Sequence, residues 1–517
     1  MSDSSAVRSR RLPIFVTLSV AAAIAWMYGA GHVVRSFGSI ALVLLWVLIV
    51  GLWWAFGPRP GKMGRLFKFV GALALAVAAF LGVFRYDGSA DGSALPRFVF
   101  KWMPKRELPS LVVAPSGVAV PADLPAGLVD MPRFLGPKGD GIFPELTWDT
   151  EWEKNPPREV WRKSVGAGWS GFSIAGRRAI TMEQRGGEET TVCYDVVTGE
   201  VLWSHADKAF FTEKMGGDGP RSTPTIDAAA GAVFAFGATG LLNRLDLATG
   251  EKRWQVDVLG LTGGSNVTWG KSAAPLLVGD VVVVSGGATG PVLCALKQSD
   301  GSLAWKTKST AASYSSPVLM TLGGVDQIVS VNQNSVTGHE PMTGVELWAF
   351  DWPAGMPKVC QPISAGEDRI LVTASYGMKS HLLKIAKKSE AEWSCEELWS
   401  SSSPRTKFSS AVIHDGHIYA NDEGTLACVN LVDGERVWRE GRYGFGQLIQ
   451  VGGFLLIQAE QGFVAVVQMD PAGLKEVARV NALSAMTWNP PSLAGRWLLV
   501  RNAEEAVCYE LPELAKK

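Results

Sequence analysis

The chain has 517 residues, 49 basic and 49 acidic side chains, and a formal net charge of zero. That balance excludes nucleic acid as the main partner, because phosphate binding needs a basic excess. Six Cys in this length exclude a disulfide-framed fold, and a charged fraction of only 19% indicates that part of the chain sits in lipid.

Residues 12–34 and 39–56 carry no charge, and residues 67–84 carry only Lys68, whose stem can snorkel. A bilayer core takes about 20 helical residues, so three transmembrane helices are predicted over about 12–34, 39–56 and 67–84, within a membrane anchor of residues 1–85. Three runs in succession do not make a cleaved signal peptide, which has one short apolar core. Arg8, Arg10 and Arg11 precede the first run, and Arg59, Lys62 and Arg65 lie between the second and third. The positive-inside rule then puts the N-terminus in the cytoplasm and everything after the third helix outside it. The expected location is a bacterial inner membrane, with the C-terminal part periplasmic. Residues 86–157, rich in Pro, Gly and Ala, read as a linker and lead-in.

From residue 158 the chain becomes self-similar. Cys193-Tyr-Asp-Val-Val-Thr-Gly-Glu-Val-Leu-Trp203 matches Leu245-Asp-Leu-Ala-Thr-Gly-Glu-Lys-Arg-Trp254, and further copies end at Trp305, Trp348, Trp399 and Trp438. A period of roughly forty to fifty residues made of short alternating strands is propeller-blade length. Each unit reads as a Ser/Thr-Pro-led strand, a β-branched strand, a third strand, a Thr-Gly or Asp-Gly hairpin, and a last strand carrying Trp. The Trp gives each blade a large apolar payload at one fixed place, expected between neighbouring blades. Two further units, 447–480 and 488–511, lack it, and the second stops after its third strand. Glu159-Val-Trp161 looks like a last strand with no blade before it. Pairing it with the C-terminal unit closes the ring and removes an open edge. The predicted fold is therefore an all-β propeller over residues 158–514, with eight four-stranded blades, or seven if one weak unit is misread. The structural Trp set is Trp161, Trp203, Trp254, Trp305, Trp348, Trp399 and Trp438.

This repeat resembles the pyrroloquinoline-quinone-type (PQQ) propeller motif, Ala-x-Asp-x-x-x-Gly-x-x-x-Trp. At finer grain the chain resembles membrane-anchored PQQ-like propeller proteins. The marks are Arg133-Phe-Leu-Gly-Pro137, Glu183-Gln-Arg-Gly186, Gly216-Gly-Asp-Gly-Pro-Arg221, Ser313-Tyr-Ser-Ser-Pro317 and Trp488-Asn-Pro-Pro491. The same repeat is shared by the outer-membrane assembly lipoprotein, a scaffold, and by the quinoprotein dehydrogenases. The resemblance implies two functions: a scaffold that binds other envelope proteins or a ligand, or a PQQ-dependent dehydrogenase oxidising an alcohol or sugar.

No two Cys are adjacent and no Cys-x-x-Cys-His haem site occurs, whereas many quinoprotein alcohol dehydrogenases join adjacent cysteines. Cys193, Cys294, Cys428 and Cys508 share one repeat position and read as small buried apolar groups. His414-Asp-Gly-His417 reads as a turn rather than a metal site. No cofactor and no metal site is therefore predicted. In a propeller, the loops that lead into first strands and the second-to-third turns converge on one face. There the sequence places Gln184, Arg185, Arg221, Lys271, Tyr314, Gln361, Tyr376, Lys407, Trp488 and Asn489 as candidate ligand-binding residues. Glu183, Asp422 and Glu423 are the candidate bases or calcium ligands if the funnel holds PQQ with calcium. The reading favours the scaffold, with the membrane and other envelope proteins as partners.

Overall fold

The computed structural model describes residues 62–92, 94–104, 108–111, 123–353, 355–389 and 392–514, with a few helical positions ahead of them. It divides into two compact units, one of Met1–Arg106 with Lys214–Gly217 and one of the remaining residues.

In the first unit, Lys62–Val83 is a helix. Its stretch Met63–Val83 has a mean hydropathy of 2.2 and buries nothing against protein. One helix long and apolar enough to cross a membrane is thus present among the described residues. The other two predicted spans, 12–34 and 39–56, lie outside them, apart from the helical positions 17, 20, 42 and 45–52. The helix runs directly into an antiparallel hairpin, Phe84–Ser89 and Pro96–Phe100, with Phe84 opposite Phe100 and Tyr86 opposite Phe98. Composition had marked this stretch as linker. The alternation of aromatic and polar residues, which is strand-like, overrides the turn-rich average.

The second unit is an eight-bladed propeller of antiparallel four-stranded meanders. Blade 1 spans residues 173–207, blade 2 225–257, blade 3 276–306, blade 4 318–351, blade 5 363–401, blade 6 412–442 and blade 7 447–481. Blade 8 takes three strands from 492–510 and its outer strand from Arg158–Ser164. Trp161 sits opposite Cys508 in that pairing. The ring closes as the orphan strand foretold, and the count is eight, not seven. Buried apolar side chains cluster across blade seams. Cys193 and Trp203 of blade 1, for example, share a cluster with Val233 and Leu245 of blade 2.

The repeat motif acquires a physical meaning at these seams. The indole N–H of Trp161 donates to the Val196 carbonyl at 2.7 Å, in the third-to-fourth hairpin of the next blade. Trp203 does the same to Leu247 at 3.0 Å, Trp254 to Gln298 at 2.9 Å, Trp399 to Leu431 at 3.0 Å and Trp438 to Asp470 at 3.0 Å. Three residues after each of the first four carbonyls comes a Gly at positive φ: Gly199, Gly250, Gly301 and Gly434. A Cβ there would meet the ring of the preceding blade's Trp, at 2.7 Å for Gly199 and 2.8 Å for Gly434. Glycine is needed twice, for the turn and for the indole above it. Asp195 and Asp246 hold the same hairpins by accepting from two backbone N–H groups each. Blades 3 and 4 depart from the rule: Trp305 lies over Gly344, but its indole N–H has no acceptor among the described residues. For blade 4, the next blade's hairpin is lengthened around Lys387 and Trp393, and Trp348 folds over its own Gly338 and donates to Gln327 Oε1 at 2.6 Å.

The lead-in also has a defined course. Met131 pairs with Ile174, Ile226 N–H donates to the Pro132 carbonyl, Gln450 N–H to Gly141 and Gly452 N–H to Phe143. Residues Ile142–Phe143 add a parallel strand to the first strand of blade 7. First strands line the axis, so their inner edges would otherwise be unpaired. Residues 129–143 satisfy several of them and occupy the channel mouth on the side of the first-to-second turns. The opposite mouth carries the candidate site.

Candidate functional site

First strands begin, and second strands end, on the same face of every blade, so the loops there meet around the axis. The residue four places before a first strand is repeatedly aromatic: Trp169, Tyr314, Phe408 and Trp488. Trp169 and Trp488 lie 4.8 Å apart, Phe408 and Trp488 5.1 Å, and Phe408 and Phe445 5.9 Å. On the other side of the mouth Trp269 and Tyr314 lie 5.8 Å apart. Trp488 is held by its indole N–H, which donates to Glu460 Oε1 at 2.7 Å.

Two cations complete this wall. Lys407 Nζ sits over the rings of Phe445, Tyr376 and Phe408 at 4.8, 4.9 and 5.7 Å. Arg221 lies 4.7 Å over Phe211 and donates to the Gly219 carbonyl; burial pushes its pKa down to about 10. Such stacking stabilises a cation by about 0.5–2 kcal/mol and fixes where it points.

The structure sorts the sequence-predicted residues into two groups. Arg221, Tyr314, Tyr376, Lys407 and Trp488 meet at the aromatic mouth. The others serve the ring itself. Glu183 is fully buried. Its Oε2 accepts from Arg185 Nε at 2.7 Å and from Gly166 N–H at 2.7 Å, and its Oε1 accepts from the Tyr194 hydroxyl at 2.6 Å. Gln184 donates to Ala209 at 3.1 Å. Asn489 donates to Ser170 at 2.8 Å, bridging blades 8 and 1. The backbone N–H of Gln361 donates to Ser410. Asp422 is fully buried and accepts from Ser403 and, at 2.7 Å, from Arg405, with Arg439 3.7 Å away. Glu423, at φ 50, accepts from Ser375.

Sequence reasoning missed Trp169, Trp269, Phe408, Phe445 and Arg501. The first and third were signalled by their shared place before the first strand. Arg501 carried no signal: it lies inside a strand, is fully buried, and ties blade 8 to blade 1 through Thr181, Met182 and Gly166.

Lys271 is the costly member of the set. It is 1% exposed, and its Nζ has no hydrogen-bond partner among the described residues. Burial pushes its pKa down from 10.5 to about 8. A folded pKa below the unfolded one penalises the protonated form, so the cost is present below pH 8 and disappears as pH rises to about 10.5. Lys271→Met is therefore expected to raise stability by roughly 1–3 kcal/mol at pH 7 and to leave it unchanged near pH 10.5. Guanidinium unfolding at the two pH values checks this. An equal effect at both would show that the amine is not the source.

The fit to calcium-held PQQ can be judged from the carboxylates. Calcium takes six to eight oxygen ligands. Glu183, Asp422 and Glu423 already accept from internal donors, and two of them face arginines. No group of three or more His, Cys, Asp or Glu side chains is placed to hold a metal among the described residues. The donor set does not fit calcium. The mouth instead offers apolar rings and cations, beside Glu460, whose Oε1 is engaged by Trp488.

The profile of one protein family, described as outer membrane protein assembly factor BamB, matches residues 150–316 and 238–464. The fold is similar to that of BamB from Moraxella catarrhalis, with a TM-score of 0.51 at 13% identity, covering 69% of this chain and all of that one. It is similar to a quinohemoprotein alcohol dehydrogenase from Comamonas testosteroni, with a TM-score of 0.55 at 11% identity over 76% of this chain and 82% of the other. A europium-containing methanol dehydrogenase gives 0.52 at 13% identity over 69% and 86%. At these identities the likeness concerns the fold alone. No curated protein matches the chain.

Proposed function

The chain belongs to the family of the outer membrane protein assembly factor BamB, and we propose that it is a binding scaffold of the bacterial cell envelope. On this reading the helix Lys62–Val83 anchors it in the inner membrane and the propeller works on the periplasmic side. Other envelope proteins dock on the aromatic mouth.

The observation that carries this reading is the division of labour in the site. The acids that would do chemistry are consumed by Arg185, Tyr194, Ser403, Arg405 and Ser375. The groups left at the mouth are rings and cations, with Glu460 engaged by the Trp488 indole, an arrangement typical of protein-recognition hot spots. A propeller fold by itself would not separate a scaffold from an enzyme.

The test uses the full-length chain in cells. A photo-reactive residue in place of Trp169 is expected to yield one specific adduct with an envelope protein. Arg221→Glu should reduce that adduct about tenfold or more, as loss of a central interface cation does. The same reactive residue at Val437, on an outer blade edge, should give none. An adduct unaffected by Arg221→Glu would move the docking surface elsewhere. The dehydrogenase reading has its own result: retained quinone absorbance after mixing with PQQ and calcium, with dye reduction that depends on an alcohol or sugar, would replace the scaffold.

A further inference from the structure

The hairpin that follows the helix presents two unlike faces. Side chains alternate along a strand, and the register puts Phe84, Tyr86, Phe98 and Phe100 on one side and Arg85, Asp87, Arg97 and Val99 on the other. The aromatic side is continuous. Phe84 stacks on Phe100 at 4.8 Å, Phe100 on Trp102 at 4.8 Å, and Tyr86 meets Phe98 edge-on at 6.0 Å. Phe80, in the last turns of the helix, touches both Phe84 and Phe98 at 5.0 Å. The helix's apolar surface therefore runs on into the hairpin without a break. Yet these rings stay open: Phe98 is 45% exposed and Trp102 70%. The opposite side is polar, with Arg97 paired to Asp87 at 2.6 Å.

A two-stranded hairpin alone is marginal in water, so the ring face needs a partner. Three facts on the chain select the bilayer surface. The first is continuity with an apolar helix that buries nothing in protein. The second is charge. Residues 84–106 hold Arg85, Arg97, Lys101, Lys105 and Arg106 against Asp87 and Asp91, a basic excess that suits lipid phosphates. The third fixes the depth. Among the described residues the hairpin is a sheet of two strands only, so its outer edges present backbone groups, which hydrocarbon does not tolerate but the hydrated interface does. Aromatic rings with a polar flank prefer that zone.

We propose that the hairpin Phe84–Phe100 lies in the membrane interface, ring face down, as a collar that clamps the end of the helix. This rests on the reading of Lys62–Val83 as the anchor. Such a collar turns a swivelling tether into a fixed post.

The test places p-benzoylphenylalanine, one site at a time, in the full chain reconstituted into phosphatidylethanolamine and phosphatidylglycerol vesicles. Leu75, in mid-helix, reports the anchor. Phe98 reports the collar, and Val99, on the polar side, is its control. Lipid adducts are expected at Leu75 and Phe98, with loss of the adduct at Val99. An adduct at Leu75 with none at Phe98 overturns the collar and leaves the anchor standing. A Phe98 adduct with a second copy of the chain also overturns it, since the ring face would then be a dimer contact. No lipid adduct at Leu75 brings down the anchor and the collar together.

Discussion

Trp203→Ala is expected to lower the unfolding free energy by about 3–5 kcal/mol, the range for truncating a buried large aromatic. The indole is 3% exposed, lies over Gly250 of the next blade and donates to Leu247 at 3.0 Å. Removing it opens a void in a seam cluster that includes Cys193, Val233 and Leu245. A domain is stabilised by only about 5–15 kcal/mol in total, so one such seam is a large fraction. Leu303→Ala, on an outer strand and 37% exposed, serves as the control and should stay near 1 kcal/mol or below. Guanidinium unfolding followed by near-ultraviolet dichroism measures both in the full chain. Equal midpoints for the two variants would mean that the Trp residues decorate the blades rather than join them. Gly250→Val should behave like Trp203→Ala, because it attacks the same joint from the other side.

The second large effect concerns Glu183. Glu183→Ala leaves Arg185 buried without its counter-charge, and breaking a buried pair from one side costs about 3–5 kcal/mol. It also strands the Tyr194 hydroxyl and the Gly166 N–H, two donors that Glu183 now satisfies. The double replacement Glu183→Ala with Arg185→Met should recover part of the loss, since it removes the unpaired buried charge. Thermal and denaturant unfolding of the three variants gives the answer. A Glu183→Ala protein as stable as the wild type, but unable to hold a partner or quinone, would return this carboxylate to the site.

The two predictions show what could be read in the chain and what could not. The Trp period exposed the blades because identical units must bury the same group at the same place. The orphan Glu159-Val-Trp161 revealed the ring closure for the same reason. The hairpin Gly was legible as a turn residue but not as the seat for a neighbour's indole, since that contact joins residues about forty apart. Glu183 was legible as a mouth-side acid near the end of a second strand, and Glu460 follows the corresponding strand of blade 7. Their fates differ through their neighbours. Arg185 and Tyr194 draw Glu183 inward, whereas Glu460 meets Trp488 at the mouth. No local pattern encodes those meetings. Arg501 is the extreme case, a fully buried cation inside an apolar strand whose acceptors come from a blade more than three hundred residues earlier.

Blade 8 also sets a timetable for biosynthesis. Arg158 finds Glu510 across a separation of 352 residues. A ribosome making about 5–20 residues per second needs on the order of 20–70 s to cover that distance. Throughout that interval the strand Arg158–Ser164 is finished but has no complete sheet to join, and for most of it blade 7 has not yet been made to receive Ile142–Phe143. The growing chain must wait in this half-made state with a sticky strand on display. The nascent chain is then at its most vulnerable to proteases and to pairing with a neighbouring copy. A holding chaperone would act in that window, and its hold would end when the last strand, Glu505–Glu510, emerges.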